Sequence, residues 1–335
     1  MAINVARRKF IAALGSTAFA WPLAARAQRA ERTQRIGVLM GSPENGPEGQ
    51  AYLAAFREEL QKLGWTESRN MRIDTRWSTS DDPAARQRFA KELVGLKPDL
   101  LISEFTPTTA ELLQQTHTIP IVFVTVSDPV GSGFVASFAR PGGNVTGFVT
   151  ADGLLGGKWL ELLKEIAPRV TRVAVLFNPA TTPYADFYLS PLRVAAAHFA
   201  MEATIAAVRD TTELASVVAA QAREPNSGLI VIPETFTLAH RVELTSLAAR
   251  NSLPAVYPLR SFAELGGLLS YGIDQTDNFR RAATYADRVL KGAKPTELPV
   301  QAPVKYELVI NLKTAKVLGL DVPPLLQQRA DDVIE

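Results

Sequence analysis

The sequence predicts an α/β fold built as two doubly wound parallel-sheet lobes. Three observations predict it. Short β-rich runs alternate with amphipathic helical patterns from residue 35 to about 313, which implies βαβ units and parallel sheets covered on both faces. The strand cores, "IVFVTV" (121–126) among them, are continuously apolar, as strands buried on both faces must be. A Gly-dense stretch, "RPGGNVTGFVTADGLLGG" (140–157), breaks the alternation, and "RVAVLFN" then restarts it as "RIGVLM" began it.

Taken in order, "RIGVLM" (35–40) is an apolar strand. "GQAYLAAFREELQKLG" (49–64) is a helix with Leu53, Phe56, Leu60 and Leu63 on one face. "NMRIDTRWS" reads as a strand and "PAARQRFAKELVGL" as a helix. The strands "DLLISE" and "PIVFVTV" precede the helical patterns "PTTAELLQQTH" and "PVGSGFVASFA". In the second half "RVAVLFN", "ATIAAV", "GLIVIP" and "PAVYP" are strands, with helices over 185–200, 213–223 and 239–250. A strand "GLLSYGI", a helix over 277–291 and "LPVQAPVKYELVINL" follow. These are too few for a third domain and return to complete the two sheets.

The N-terminus obeys a different logic. Arg7, Arg8 and Lys9 precede an apolar run, Phe10 to Leu23, and the small-x-small site Ala25-Arg26-Ala27. This order predicts a signal peptide of twin-arginine type over 1–27, cleaved near Ala27/Gln28, and a periplasmic protein. The apolar run is shorter than the ~20 residues a span needs, and no later run is longer, so direct membrane insertion is not expected. The segment takes four of the 36 basic residues and none of the 34 acidic ones, so formal charge falls from +2 to −2. That charge offers nothing to a phosphate backbone, and no nucleic-acid partner is expected. The chain has no cysteine, which excludes disulfides, thiolate metal sites, a cysteine nucleophile and a lipid anchor on cysteine.

In open parallel sheets, ligands sit outside the carboxyl ends of the strands. In the first half that rule selects Ser42, Glu104, Phe105, Thr106, Thr108, Ser127 and Asp128. In the second it selects Asn178, Tyr184, Glu234, Phe236, Tyr271 and Asp274. Backbone N–H groups at a helix start, helped by the Thr106 or Thr108 hydroxyl, suit a carboxylate. Asp274 or Glu234 could hold an ammonium, and Phe105, Tyr184 and Phe236 could enclose an apolar or aromatic side chain. Plainer roles compete: Thr106 and Asp128 each precede a proline, as helix caps do, Asn178-Pro179 suits a turn, and Asp274 suits a cap.

His117, His198 and His240 have no metal-ligand spacing, and neither a P-loop nor a Gly-x-Ser-x-Gly elbow occurs. No catalysis and no cofactor are expected. One motif points elsewhere. "GSGFVA" (131–136), with Gly131, Gly133 and, about twenty residues on, Asp152, fits a dinucleotide fingerprint and would suit an exported NAD(P)-dependent oxidoreductase. Against it, Ser127 to Val130 separate the strand from the first glycine, and Arg140-Pro141-Gly142-Gly143 shortens the following helix. A ligand-sensing module is the other alternative.

The segments "IPIVFVTVSDPVGSGFVASFARPGGNVTG", "GKWLELLKEIAPRVTRVAVLFNP", "LPVQAP" and "ELVINLKTAKVLGLDVPPLLQQRADDVIE" resemble the ABC transporter substrate-binding protein family, TrpX-type aromatic amino-acid binders included, with the type I periplasmic binding protein fold. The resemblance runs from about residue 34 to the C-terminus. It implies two lobes, joined by three crossings, that close on a small ligand and deliver it to ABC permease membrane subunits; a monomer is expected. An aromatic or branched amino acid is the ligand it favours. The crossings are expected near 149, 266 and 300, giving one lobe over 34–148 plus 266–299 and the other over 149–265 plus 300–335. This chain departs from the family at "ISEFTPTT": a small residue, often Gly, usually precedes the Thr-Pro, and Glu104 and Phe105 bring charge and bulk there instead.

Overall fold

A computed structural model describes residues 33–79, 82–151 and 153–335; the expected signal peptide lies outside them. In the first lobe β1 (Gln34–Met40), β2 (Met71–Trp77), β3 (Leu100–Glu104), β4 (Ile121–Val126) and β5 (Val145–Val149) pair in parallel, in the order β2-β1-β3-β4-β5. The second lobe holds β6 (Arg172–Phe177), β7 (Glu202–Ala207), β8 (Ser227–Val231), β9 (Ala255–Tyr257), β10 (Leu269–Ile273), β11 (Tyr306–Asn311) and β12 (Asp332–Ile334). Their order is β12-β11-β10-β9-β8-β6-β7, and β11 runs antiparallel to β10.

The helices of the first half are α1 (Pro47–Lys62), α2 (Pro83–Gly95) and α3 (Phe105–Gln115). Then come α4 (Leu155–Ile166), α5 (Ala185–His198), α6 (Thr211–Arg223), α7 (Thr235–Ala239), α8 (Arg241–Arg250) and α9 (Arg260–Glu264). The last are α10 (Gln275–Leu290), α11 (Leu312–Val317) and α12 (Pro324–Arg329). Local chemistry sets their ends. Pro47 opens α1, with Glu48 in its first turn and Lys62 in its last, matching the helix dipole. Asp82 caps α2 by accepting from the Ala85 N–H at 2.7 Å, and Asp210 caps α6 through the Glu213 N–H at 2.8 Å. Leu53, Phe56 and Leu60 are buried as the periodicity requires, whereas Leu63 is the half-buried C-cap.

Each sheet is covered on both faces, and alternate residues feed different cores. Ile36, Val38 and Met40 pack with α1 and α10 through Phe56 and Phe279. Leu39 packs on the other face with Leu93 of α2 and Leu112 of α3. In the second lobe Trp159 and Tyr188, from α4 and α5, cover one face. Leu214 and Leu244, from α6 and α8, cover the other.

Three expectations are corrected. No helix forms over 129–139; the chain turns there, with Asp128 accepting from the Gly131 N–H at 2.8 Å and Gly133 at φ +72°. A dinucleotide fingerprint needs a helix at that point, and Asp152 lies outside the described residues. The helix expected over 239–250 forms as α8, with the short α7 preceding it across His240. The second crossing falls after Ile273 rather than near 266, because β10 pairs with β9 and β11 inside the second sheet. Finally, β10, β11 and β12 all join that sheet, and only an isolated bridge from Gln301 to Phe148 touches the first. What residues 275–290 supply to the first lobe is a helix, not a strand: Phe279, Ala282 and Ala286 are fully buried in its core.

Part of the Gly-dense stretch serves packing. A Cβ on Gly156 would lie 2.1 Å from the Tyr188 carbonyl oxygen, so α4 meets the backbone of α5 directly. Gly156→Val is expected to lower stability by about 2–3 kcal/mol through overpacking, read as a lower urea midpoint.

Candidate ligand-binding site

In both sheets the strand order reverses beside the first strand of the lobe, between β1 and β3 in one and between β6 and β8 in the other. Ligands of doubly wound sheets bind at such switch points. Here the two switch points face each other across the cleft. The first presents Gly41 and Ser42 after β1, and Glu104 to Thr106 after β3. The second presents Pro233 to Thr237 after β8.

The cleft holds two adjoining cavities that share Thr235 and Leu238. One spans about 370 Å³, its open mouth included, between Phe105, Thr106, Ser127, Tyr184, Leu238 and Phe262, with Thr125, Thr150, Glu234, Thr237 and Gln275 also at its wall. The other spans about 470 Å³, likewise with its open mouth, and is lined by Gly41, Ser42, Glu48, Tyr52, Glu104, Thr235 and Arg241. Both lobes contribute to each. The first is walled mainly by apolar groups, and the second carries the charge.

Strain marks this edge. Phe105 has φ +70° and Thr125 φ +57°, a region bulky and β-branched residues avoid. Phe105 follows β3 without a loop, and its ring packs so close to Gly41 that a Cβ there would lie 2.7 Å from it. Thr125 sits in a register shift between Val124 and Val126 of β4, which brings it to the cavity wall. Such strain collects at ligand sites.

Glu104 is fully buried. Its Oε2 accepts from the Gly41 N–H and the Ser42 hydroxyl, both at 2.9 Å, while Oε1 has no partner. Burial pushes its carboxyl up to about 7, against the lowering effect of those hydrogen bonds. Thr235 Oγ1 and Gln275 Oε1, at the cavity walls, are also buried without partners. Buried polar groups are otherwise almost always paired.

Other expected site residues are committed elsewhere. Glu234 lines the cavity, but its oxygens accept from Thr181 Oγ1 at 2.6 Å and from the Phe236 and Thr237 N–H groups at 2.5 and 2.6 Å, capping α7. Burial raises its pKa and those bonds oppose the rise. Asp274 caps α10 through the Asp277 N–H and pairs with Lys305 at 2.8 Å. Partial burial would raise its pKa, but the Lys305 bond and charge outweigh that and hold it below the usual carboxylate range. Asp274 tethers two crossing segments and does not line either cavity.

Thr108, Asn178, Phe236 and Tyr271 also lie off the cavity walls. Thr108 bonds back to the Glu104 and Phe105 carbonyls, and Asn178 holds a turn through the Ala180 N–H. Phe236 is core, packed in the same cluster as Leu244 and Phe262. Tyr271 stacks on Tyr306 at 5.8 Å. Asp128 lines only an outer groove with Arg86 and Tyr184. Ser42, Glu104, Phe105, Thr106, Ser127, Tyr184 and Glu234 do come together. Missed were Tyr52 and Arg241, on helices that the strand-end rule does not reach, and Thr125, inside an apolar strand. Thr235 and Gln275 stand one residue past Glu234 and Asp274 and could have been included.

Two facing switch points with a polar cavity between them give the two-lobed fold found in solute-binding proteins. A family model described as ABC transporter substrate binding protein matches residues 45–334, and the chain belongs to that family. A tyrosine-binding protein of Clostridioides difficile (strain R20291) is 28% identical over 269 residues, covering 79% of this chain and 75% of its own. Among solved structures, a conserved domain protein from Vibrio cholerae is 27% identical with a TM-score of 0.83, covering 90% of this chain and 100% of its own. An ABC domain from Streptococcus pneumonia in complex with L-Trp is 26% identical with a TM-score of 0.82 and the same coverage.

The raised Glu104 pKa has a testable consequence. Its folded value near 7 exceeds its unfolded value near 4.5, so stability is full below the unfolded pKa and is lost as pH rises through the folded one. Glu104→Gln is therefore expected to match the ligand-free wild type at pH 4 and to exceed it at pH 8 by on the order of 3 kcal/mol. Urea unfolding of both proteins at the two pH values checks it.

Proposed function

We propose that this protein is the exported, periplasmic binding subunit of an ABC importer, taking an aromatic amino acid between its lobes and handing it to membrane permease subunits. The observation that carries the reading is the inter-lobe cleft itself. Unpartnered polar atoms of Glu104, Thr235 and Gln275 stand beside an apolar wall of Phe105, Tyr184, Leu238 and Phe262. A ligand with one polar end and one flat apolar end matches that division. Relatives named for tyrosine binding or solved with L-Trp support the same class. No described helix is long and apolar enough to cross a membrane. Monomeric action and signal-peptide cleavage near Ala27/Gln28 belong to the same proposal.

Binding works by closure. Arg241 Nη2, from the second lobe, reaches both carboxylate oxygens of Glu48, from the first, at 2.9 and 2.8 Å. Ser127 and Tyr188 share a 2.9 Å hydroxyl bond across the cleft. These contacts exist only while the lobes are together, so they add to ligand affinity. Glu48→Gln is expected to raise Kd about fivefold, an effect of ~1 kcal/mol for a partly exposed pair, read by calorimetric titration.

The reading is tested by thermal unfolding against the twenty amino acids, aromatic acids, common sugars and NAD(P)H. An aromatic amino acid at 100 times its Kd is expected to stabilise the protein by about 2.7 kcal/mol. A rise confined to sugars or to the dinucleotide would overturn the proposal.

A further inference from the structure

We infer that Glu104 selects ligands carrying an ammonium group, which it holds jointly with Thr235 of the opposite lobe. The inference rests on the ligand occupying the inter-lobe cleft as proposed above, and it names the atoms that read the ligand's charge.

Glu104 stands at the first sheet's switch point, fully buried. Both of its hydrogen bonds fall on Oε2, which fixes the carboxylate and leaves Oε1 bare at the wall of the larger cavity. The cation that shares this cavity, Arg241, gives its Nη2 to Glu48 and its Nη1 to the Leu238 carbonyl, and its Nε has no partner. Glu104 therefore has an acceptor position and no ion-pair partner. Thr235 Oγ1, likewise bare, lines both cavities from the second lobe. An ammonium has three N–H donors and no acceptor, so it can bond Glu104 Oε1 and Thr235 Oγ1 together. A ligand so held bridges the lobes. Its apolar part extends past Leu238 into the cavity walled by Phe105, Tyr184 and Phe262.

Glu234 and Asp274 compete poorly for this role. The first already accepts two backbone N–H groups and a hydroxyl, and the second holds Lys305. A ligand carboxylate aimed at Oε1 would meet like charge, reinforced by Glu48 on α1.

Capture of an ammonium requires the ionised carboxylate. Since burial holds Glu104 near 7, affinity should fall as pH drops below that value, approaching tenfold per pH unit. Charged or titratable groups beside it are Glu48 and Tyr52 from α1 and Arg241 from α8, and Asp274 before α10 acts with them on Tyr52. Glu104→Gln separates its contribution from theirs.

The test is calorimetric titration of wild-type, Glu104→Gln and Thr235→Val proteins between pH 5.5 and 8. The probes are L-tryptophan, tryptamine and indole-3-propionate, with L-tyrosine, tyramine and 4-hydroxyphenylpropionate in parallel. Expected for the wild type is binding of an amino acid with its deaminated acid on the order of 100-fold weaker. The amine should bind more tightly than the deaminated acid, and amino-acid affinity should decline toward pH 5.5. Glu104→Gln should lose on the order of 100-fold in amino-acid affinity and show a flat pH profile; Thr235→Val should lose less. If the deaminated acid binds wild type as tightly as the amino acid, or affinity rises toward low pH, the inference is overturned while the amino-acid reading stands. If none of the six compounds binds, that reading falls and takes the inference with it. The analogue series and pH profile need only wild-type protein, so an unstable variant does not remove the test.

Discussion

Parallel pairing is the constraint on which this molecule rests. When neighbouring strands run the same way, each return must be made across a face of the sheet, which here falls mainly to helices. All the carboxyl ends then arrive at one edge. Helix starts gather at that edge, with their free N–H groups and bond-seeking side chains. Two such edges set face to face leave a cleft that is polar by construction. Glu104 and Thr235, one on each side of it, lie where β3 and β8 give way to α3 and α7.

The edge is held in a condition that costs stability. Phe105 and Thr125 sit at positive φ, and four buried polar atoms of cavity-lining residues lack partners, on Glu104, Thr235, Arg241 and Gln275. Strained residues of this kind cost on the order of 1–3 kcal/mol each, and unpaired buried groups a similar amount. The deep cores of both lobes offset this, with Phe56, Phe123, Trp159 and Tyr188 all but wholly buried. A ligand that supplies the missing partners recovers part of the cost, and in doing so favours the closed arrangement.

The closure proposed above would turn on the crossings. Asp274 and Lys305 tie the second crossing to the third, and Asn278 of α10 donates to the Val149 carbonyl at the first, at 3.2 Å. The hinge is thus braced at named points, while Glu48–Arg241 and Ser127–Tyr188 join the lobes at the cleft. Hinges work by a few terminal residues absorbing the rotation between rigid bodies. The turn at 128–134 stands in the first lobe where the pattern of residues alone suggested a helix.

The sequence by itself determined the alternation of strands and helices, the two lobes and the edge at which a ligand would sit. Apolar runs and 3.6-residue periodicity are local properties, and the strand-end rule follows from them. It also placed Ser42, Glu104, Phe105, Thr106, Ser127, Tyr184 and Glu234 at the cleft. Only the tertiary structure decided which of these are free to act. Glu234 and Asp274 look equivalent to Glu104 in the sequence, but the hydrogen-bond partners that occupy them come from the folded backbone and from Lys305, 31 residues from Asp274. Tyr52 and Arg241 reach the cavity from helices 189 residues apart in the chain, a proximity no local pattern encodes. Which sheet received β10 was likewise settled by pairing with β9 and β11, since a single apolar strand carries no record of its neighbours.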